Sequence, residues 1–167
     1  MGQDYDERFF RHRHDAFISA LAFGGFLVIV GLVFVLNQNL WQQTNSFFKD
    51  ITNTTVHYPI GSSSTLVLPA PANPGSHSGL YNSVLQFDVG MGLLQILILG
   101  LRLGRHSWVR RIAGTVGNLV FWFGAAFLVN DLLLIGTQAS WFEYWAAIIV
   151  LLGVSLVARA AIYFARR

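Results

Sequence analysis

Cysteine is absent from the 167 residues, which excludes disulfides, thiolate metal sites and thiol redox chemistry. Charge is scarce as well. Asp, Glu, Lys and Arg make up 11% of the chain, under half of the ~25% usual in a soluble domain. Lysine occurs once, at Lys49, and proline only at Pro59, Pro69, Pro71 and Pro74. Every long apolar run is therefore free of proline, the commonest cause of a sharp helix kink. No phosphate loop, nucleotide motif or nucleophile–base arrangement can be picked out.

What the chain does contain is apolar. Apolar residues make up 54% of it, and the mean hydropathy is +0.52. This is the composition of a membrane protein whose core is shared with lipid. Four runs stand out: Ala16–Leu36, Leu80–Leu101, Ile112–Ile135 and Phe142–Phe164. Each is long enough for a helix to cross a hydrocarbon core of ~30 Å at 1.5 Å per residue. Spanning β-strands would alternate and need only ~10 residues. The expected fold is therefore all-α, a four-transmembrane-helix bundle with a long outer loop between the first and second spans. The first run exceeds a typical signal-peptide core of ~7–15 residues and no cleavage site follows it, so it reads as a retained signal anchor.

The connections complete the plan. Residues 1–15 form a polar arm, 102–111 a basic turn, 136–141 a short outer loop and 165–167 a tail. The long connection, 37–79, holds all four prolines. Within it, residues 40–51 place Leu40, Trp41, Thr44, Phe47, Phe48 and Ile51 on one face, as in an amphipathic helix lying on a membrane surface. Thr65–Leu68 is expected to add a short extended piece.

Arginine sets the expected orientation. The arm holds Arg8, Arg11 and Arg13; the turn holds Arg102, Arg105, Arg110 and Arg111; the C-terminal end holds Arg159, Arg166 and Arg167. Only Lys49 opposes them. The positive-inside rule then puts both termini and the turn in the cytoplasm of a multi-pass plasma-membrane protein. The four arginines of the turn are placed to touch lipid headgroups. The net charge of +3 is a topology signal, so no nucleic-acid partner is expected.

Candidate sites are few. Asp88 falls inside the second span, because Val89–Leu101 alone is too short to cross a bilayer. With Asn130, Asp131 and Gln95 it forms the candidate ion- or proton-coupling group. Asp131 is also placed to sit at the interface; if it is drawn inward, the two close carboxylates would share a proton, which would serve ion passage but serves a purely structural hydrogen bond first. Small residues at helical spacing suggest close packing through Gly114, Gly117 and Gly124 on the third span and Ala146 and Gly153 on the fourth. Loop residues His57 and His77 are the candidate metal ligands, although they lack ligand spacing, and no cofactor is expected.

At Leu68–Tyr81 (LPAPANPGSHSGLY), Gly117–Leu128 (GNLVFWFGAAFL) and Trp141–Ala160 the chain resembles uncharacterised four-span membrane proteins of archaea. The resemblance implies the four-span architecture and transfers no activity and no site. The expected function is a non-enzymatic accessory or scaffold subunit, partnered by another membrane protein or by itself. The alternatives are a small transporter or channel using Asp88 and an outer-face metal-binding protein using the loop histidines.

Overall fold

A computed structural model describes residues 3–57, 65–104 and 109–165. Its helices are α1 (Gln3–Leu36), α2 (Leu40–Asp50), α3 (Ser78–Gly104), α4 (Val109–Leu128) and α5 (Gln138–Ala165). The strands β1 (Ile51–His57) and β2 (Thr65–Pro71) follow α2, and a 3-10 turn, Pro74–His77, leads into α3. Four helical segments are long and apolar enough to cross a membrane: Phe17–Leu36, Pro74–Gly104, Val109–Leu133 and Gln138–Ala165. This is a helical, multi-pass membrane protein.

The spanning helices are arranged as an antiparallel row more than as a closed ring. α1 leans on α3, α3 on α4, and α4 on α5. Glycines set the three crossings. Gly25 faces Leu94 and Gly90 faces Ile29 where α1 meets α3. Gly92 receives the ring of Phe123 from α4, and Gly124 receives Leu151 from α5. With no hydrophobic drive between helices in lipid, such close approaches let dispersion hold them together. Burial inside the protein identifies the central helix: 39% of the spanning window that begins α4 is buried, against 11% for α1 and 6% for α5.

The fourth span packs with a different face from the one expected. Ala146 and Gly153 point outward together with Glu143, Val150, Val157 and Ala160, and nothing lies within 4 Å of where a Gly153 Cβ would be. The inward face is instead Ser140, Tyr144, Ile148, Leu151, Ser155 and Arg159. On α4, Gly117 and Gly124 are contact points, whereas Gly114 has open space beside it. On α1 the contact glycine is Gly25, one residue beyond Gly24 of the expected edge. Gly and Ala pack wherever the helix phase puts them, and two small-residue stripes compete on each of these helices.

The described residues of the long connection between α1 and α3 are structured. α2 turns Leu40, Thr44 and Phe47 toward the protein and leaves Trp41 at 77% and Phe48 at 66% exposed, as suits a helix at a membrane interface. With α1 and α3 it encloses an apolar cleft of about 350 Å³ lined by Val33, Phe34, Leu40, Trp41 and Phe87. At Ile51 the backbone becomes extended, ψ 120°. The run Ile-Thr-Asn-Thr-Thr-Val is β-branched except for Asn53, and such residues favour a strand. β1 pairs antiparallel with β2, with Ile51 opposite Pro71 and Asn53 opposite Pro69. These two prolines share parity, so both missing donors fall on the open side of β2 and the ladder keeps its bonds.

After α4 the helix widens into a π turn, Val129–Leu133. The extra residue rotates the phase, so that Val129 (0% exposed) and Leu133 are buried while Asn130 and Asp131 face outward. The segment ends at Gly136, whose φ is +74°. A Cβ there would come within 2.5 Å of the Gly75 Cα, so two backbones touch directly. A Cβ on Gly75 would meet only the Gly136 carbonyl at 3.5 Å. Gly136→Ala should therefore cost about 1–3 kcal/mol, and Gly75→Ala far less. Thermal unfolding of both variants in one detergent measures the difference.

Candidate functional site

Polar groups line the buried side of α3 at a fixed interval. Tyr81, Asp88, Gln95 and Arg102 are seven residues apart, so they form one stripe with a rise of ~10.5 Å between neighbours. Tyr81 is 3%, Asp88 5% and Gln95 9% exposed. Its two ends meet the α4 segment: Tyr81 packs with Val129 and Leu133 of the π turn, and Arg102 reaches Thr115.

Asp88 occupies the middle of the stripe. Among the described residues no cation pairs with it, and the Tyr144 phenol of α5 lies within its electrostatic range. A charge so placed costs at least ~2.5–3.5 kcal/mol in a bilayer. Asp131 does not join it: the π turn carries Asp131 and Asn130 to the exposed side. Of the two positions open to Asp131 it takes the exposed one, so it shares no proton with Asp88, and Gln95 is the one expected neighbour that stays on the Asp88 stripe.

A second polar cluster closes the end that carries α2 and the hairpin. His77 Nε2 lies 2.9 Å from Asp50 Oδ2, and the backbone N–H of Asn73 donates to the same oxygen at 2.8 Å. The His77 ring is buried edge-on against Phe47, with centroids 5.2 Å apart, and also meets Tyr81. Trp141 stacks on Phe47 from α5. The Tyr81 hydroxyl is buried without a partner. This cluster ties α2 and the base of the hairpin to the start of α3, and the Asp50 carbonyl accepts the Ala72 N–H at 2.9 Å. The Asn73 N–H, then His77, hold the Asp50 carboxyl below the usual carboxylate range.

His77 is accordingly the partner of a carboxylate in a structural latch. The side chain of His57, the other candidate ligand, lies outside the described residues. Among those residues no three His, Cys, Asp or Glu side chains gather at one point.

At the opposite end two arginines enter the helix row. Arg102 donates through Nη1 to the Arg111 carbonyl at 2.5 Å and to the Thr115 hydroxyl. Arg159 lies along Gly117 and donates to Asn118 Oδ1 at 2.5 Å. Arg110 is exposed, and Arg105 lies outside the described residues. Of the four arginines of the turn, Arg102 thus serves the interior as well as the surface.

Sequence reasoning expected Asn118 to hydrogen-bond between helices, as it does with Arg159, but missed Asp50 and Arg159 as interacting groups. Asp50 meets His77 across 27 residues and Arg159 meets Asn118 across 41, so no local spacing announces either pair. A signal existed for Arg159, as an arginine six residues before the end of α5.

No protein-family model matches the chain, and no curated protein or solved structure matches it. The geometry alone therefore carries the functional argument.

The Asp50 latch has a definite pH dependence. Because its folded pKa is lowered, its stabilising contribution is complete above the unfolded value of ~3.9 and disappears as pH falls through the folded value. Wild-type protein should lose thermal stability across this acid range relative to Asp50→Asn, whose curve should lack that component. Parallel curves for the two proteins would show that the latch carries no such linkage.

Proposed function

We propose that this protein is a non-enzymatic subunit that works by packing against other membrane helices, those of a larger complex or of a second copy. The supporting observation is the face of α5 that the chain leaves unused. Ala146, Gly153 and Ala160 form a small-residue seam directed away from α4, flanked by Val150 at 66% and Val157 at 68% exposed. In lipid such a seam serves close helix contact, and here none of the described helices occupies it. α1 offers comparable openings at Gly24 and Gly31, where nothing lies within 4 Å. The arginine distribution supports placing both termini and the 102–111 turn in the cytoplasm, in a plasma membrane.

The absence of cysteine makes the test clean. A single Gly153→Cys variant in native membranes should form a cross-linked species under mild oxidation or with a bifunctional maleimide. Ser155→Cys, on the inward face, should not. Gly153→Leu should lower the size of the native assembly while leaving thermal stability in detergent within ~0.5 kcal/mol. A protein that stays monomeric and partnerless in native membranes, with both cysteine variants equally unreactive, would sink the proposal.

A second reading is favoured by Asp88: a small proton- or cation-coupled transporter with this carboxylate as the coupling group. Its supporting observation is a buried acid without a described countercharge on a continuous polar stripe. The intervals of ~10.5 Å exceed a hydrogen bond, so passage would need water between the groups. In vesicles carrying a pH gradient, Asp88→Asn should abolish the flux of wild type. Equal flux in the two proteins would remove this reading.

A further inference from the structure

The basic end of the helix row holds two part-exposed arginines whose charge is met, among the described residues, only by neutral oxygens. Arg102 comes from α3 and Arg159 from α5, yet both converge on one stripe of α4. Their acceptors are the Arg111 carbonyl, the Thr115 hydroxyl and the Asn118 amide oxygen. Positions 111, 115 and 118 follow the i, i+4, i+7 pattern of a single helix face, and Thr115 and Asn118 are ~4.5 Å apart along the axis. Arg159 also lies along Gly117, and the two arginines thus meet α4 within about one turn of each other along its axis.

The arrangement is held in place. Thr115 is 2% exposed and also donates to the Arg111 carbonyl at 3.0 Å. Gly117 leaves room for the aliphatic stem of Arg159 to lie on the α4 backbone. The Nε atoms of both arginines are buried without a partner, so neither guanidinium has its hydrogen-bonding capacity filled. The carboxylates whose side chains the structure describes, Asp50, Asp88, Asp131 and Glu143, belong to α2, to the first half of α3 and to the α4–α5 turn region, away from this end; the side chains of Asp4, Asp6, Glu7 and Asp15 lie outside those described. A cation within a membrane helix row requires compensation, and forked guanidinium groups match phosphate oxygens in geometry and charge.

We propose that Arg102 and Arg159 form a binding site for the phosphate of an anionic phospholipid, entered from the leaflet at the basic end. The phosphate oxygens take the outward N–H groups of both arginines while Thr115 and Asn118 keep the side chains aimed. The acyl chains continue along the lipid-facing surface of α5, where Leu152 and Leu156 are exposed. The lipid supplies the countercharge and fixes α3, α4 and α5 at their basic ends. This differs from general attraction of a basic turn to a charged surface, because it depends on two defined residues and saturates at one lipid per chain.

The test uses the full chain, purified in neutral detergent and exposed to phosphatidylglycerol or phosphatidylcholine, with bound lipid counted by native mass spectrometry. Wild type should retain one phosphatidylglycerol and raise its melting temperature with it, and phosphatidylcholine should do neither. Retention should fall about tenfold or more in Arg102→Gln/Arg159→Gln, the scale of a lost charge-assisted hydrogen bond. Arg110→Gln should retain as wild type does. If the double variant does not fold, Arg159→Lys, which keeps the charge and loses the fork, should still reduce retention several-fold. Unchanged retention in these variants, or equal retention of the neutral lipid, would overturn the site. So would removal of the effect in a variant neutralised at Arg8, Arg11 and Arg13, because it would place the determinant in the N-terminal arm. Inorganic phosphate producing the same stabilisation at millimolar concentration would assign the site to a soluble anion and overturn the lipid proposal.

Discussion

The close approach of α4 to both of its neighbours is the contact on which the rest of the structure depends. Gly124 admits Leu151 and Gly117 admits Arg159 on the α5 side, while Gly92 of α3 admits Phe123 of α4. In hydrocarbon the helices gain little from burying apolar surface against each other, so interpenetration is what distinguishes a native contact from a lipid contact. Fixing α4 also fixes polar groups, because Thr115 and Asn118 on it receive Arg102 and Arg159. The aromatic contact of Phe87 with Trp122, at 5.6 Å, lies along the same interface.

Hydropathy made the spanning helices legible in the sequence, because run length and the missing prolines leave few alternatives. Helix phase was less legible. On α5 the stripe of Ala146, Gly153 and Ala160 looks as suited to packing as Ser140, Leu151 and Ser155, and composition cannot choose between a contact within the chain and one outside it. Asp131 shows a different obstacle. Extrapolating a 3.6-residue period from Gly117 and Gly124 carries it inward, but the single extra residue of the π turn turns it out. Nothing in Val-Asn-Asp-Leu-Leu announces that widening. β1 is the opposite case, since its β-branched run after Asp50 was readable and was overshadowed by the helical pattern before it.

The polar interior is divided by sign along the row. Acid lies toward the end that carries α2 and the hairpin, with Asp50 latched by Asn73 and His77 and Asp88 buried on α3. Base lies toward the other end, where Arg102 and Arg159 reach α4. The separation explains why the buried charges do not neutralise one another. Each is left to be satisfied by neutral oxygens, by lipid or by a partner, and a chain with 11% charged residues thereby retains specific polar contacts at both ends.

The prolines of β2 have a consequence for how the end that carries α2 and the hairpin can grow. Pro69 and Pro71 remove donors from the free edge of that strand, so a third strand cannot complete a ladder there. The opposite edge, along β1, keeps its full set of N–H groups. The hairpin is thus one-sided: closed to extension where it ends at Pro71, and open to strand pairing only along the side that continues from α2.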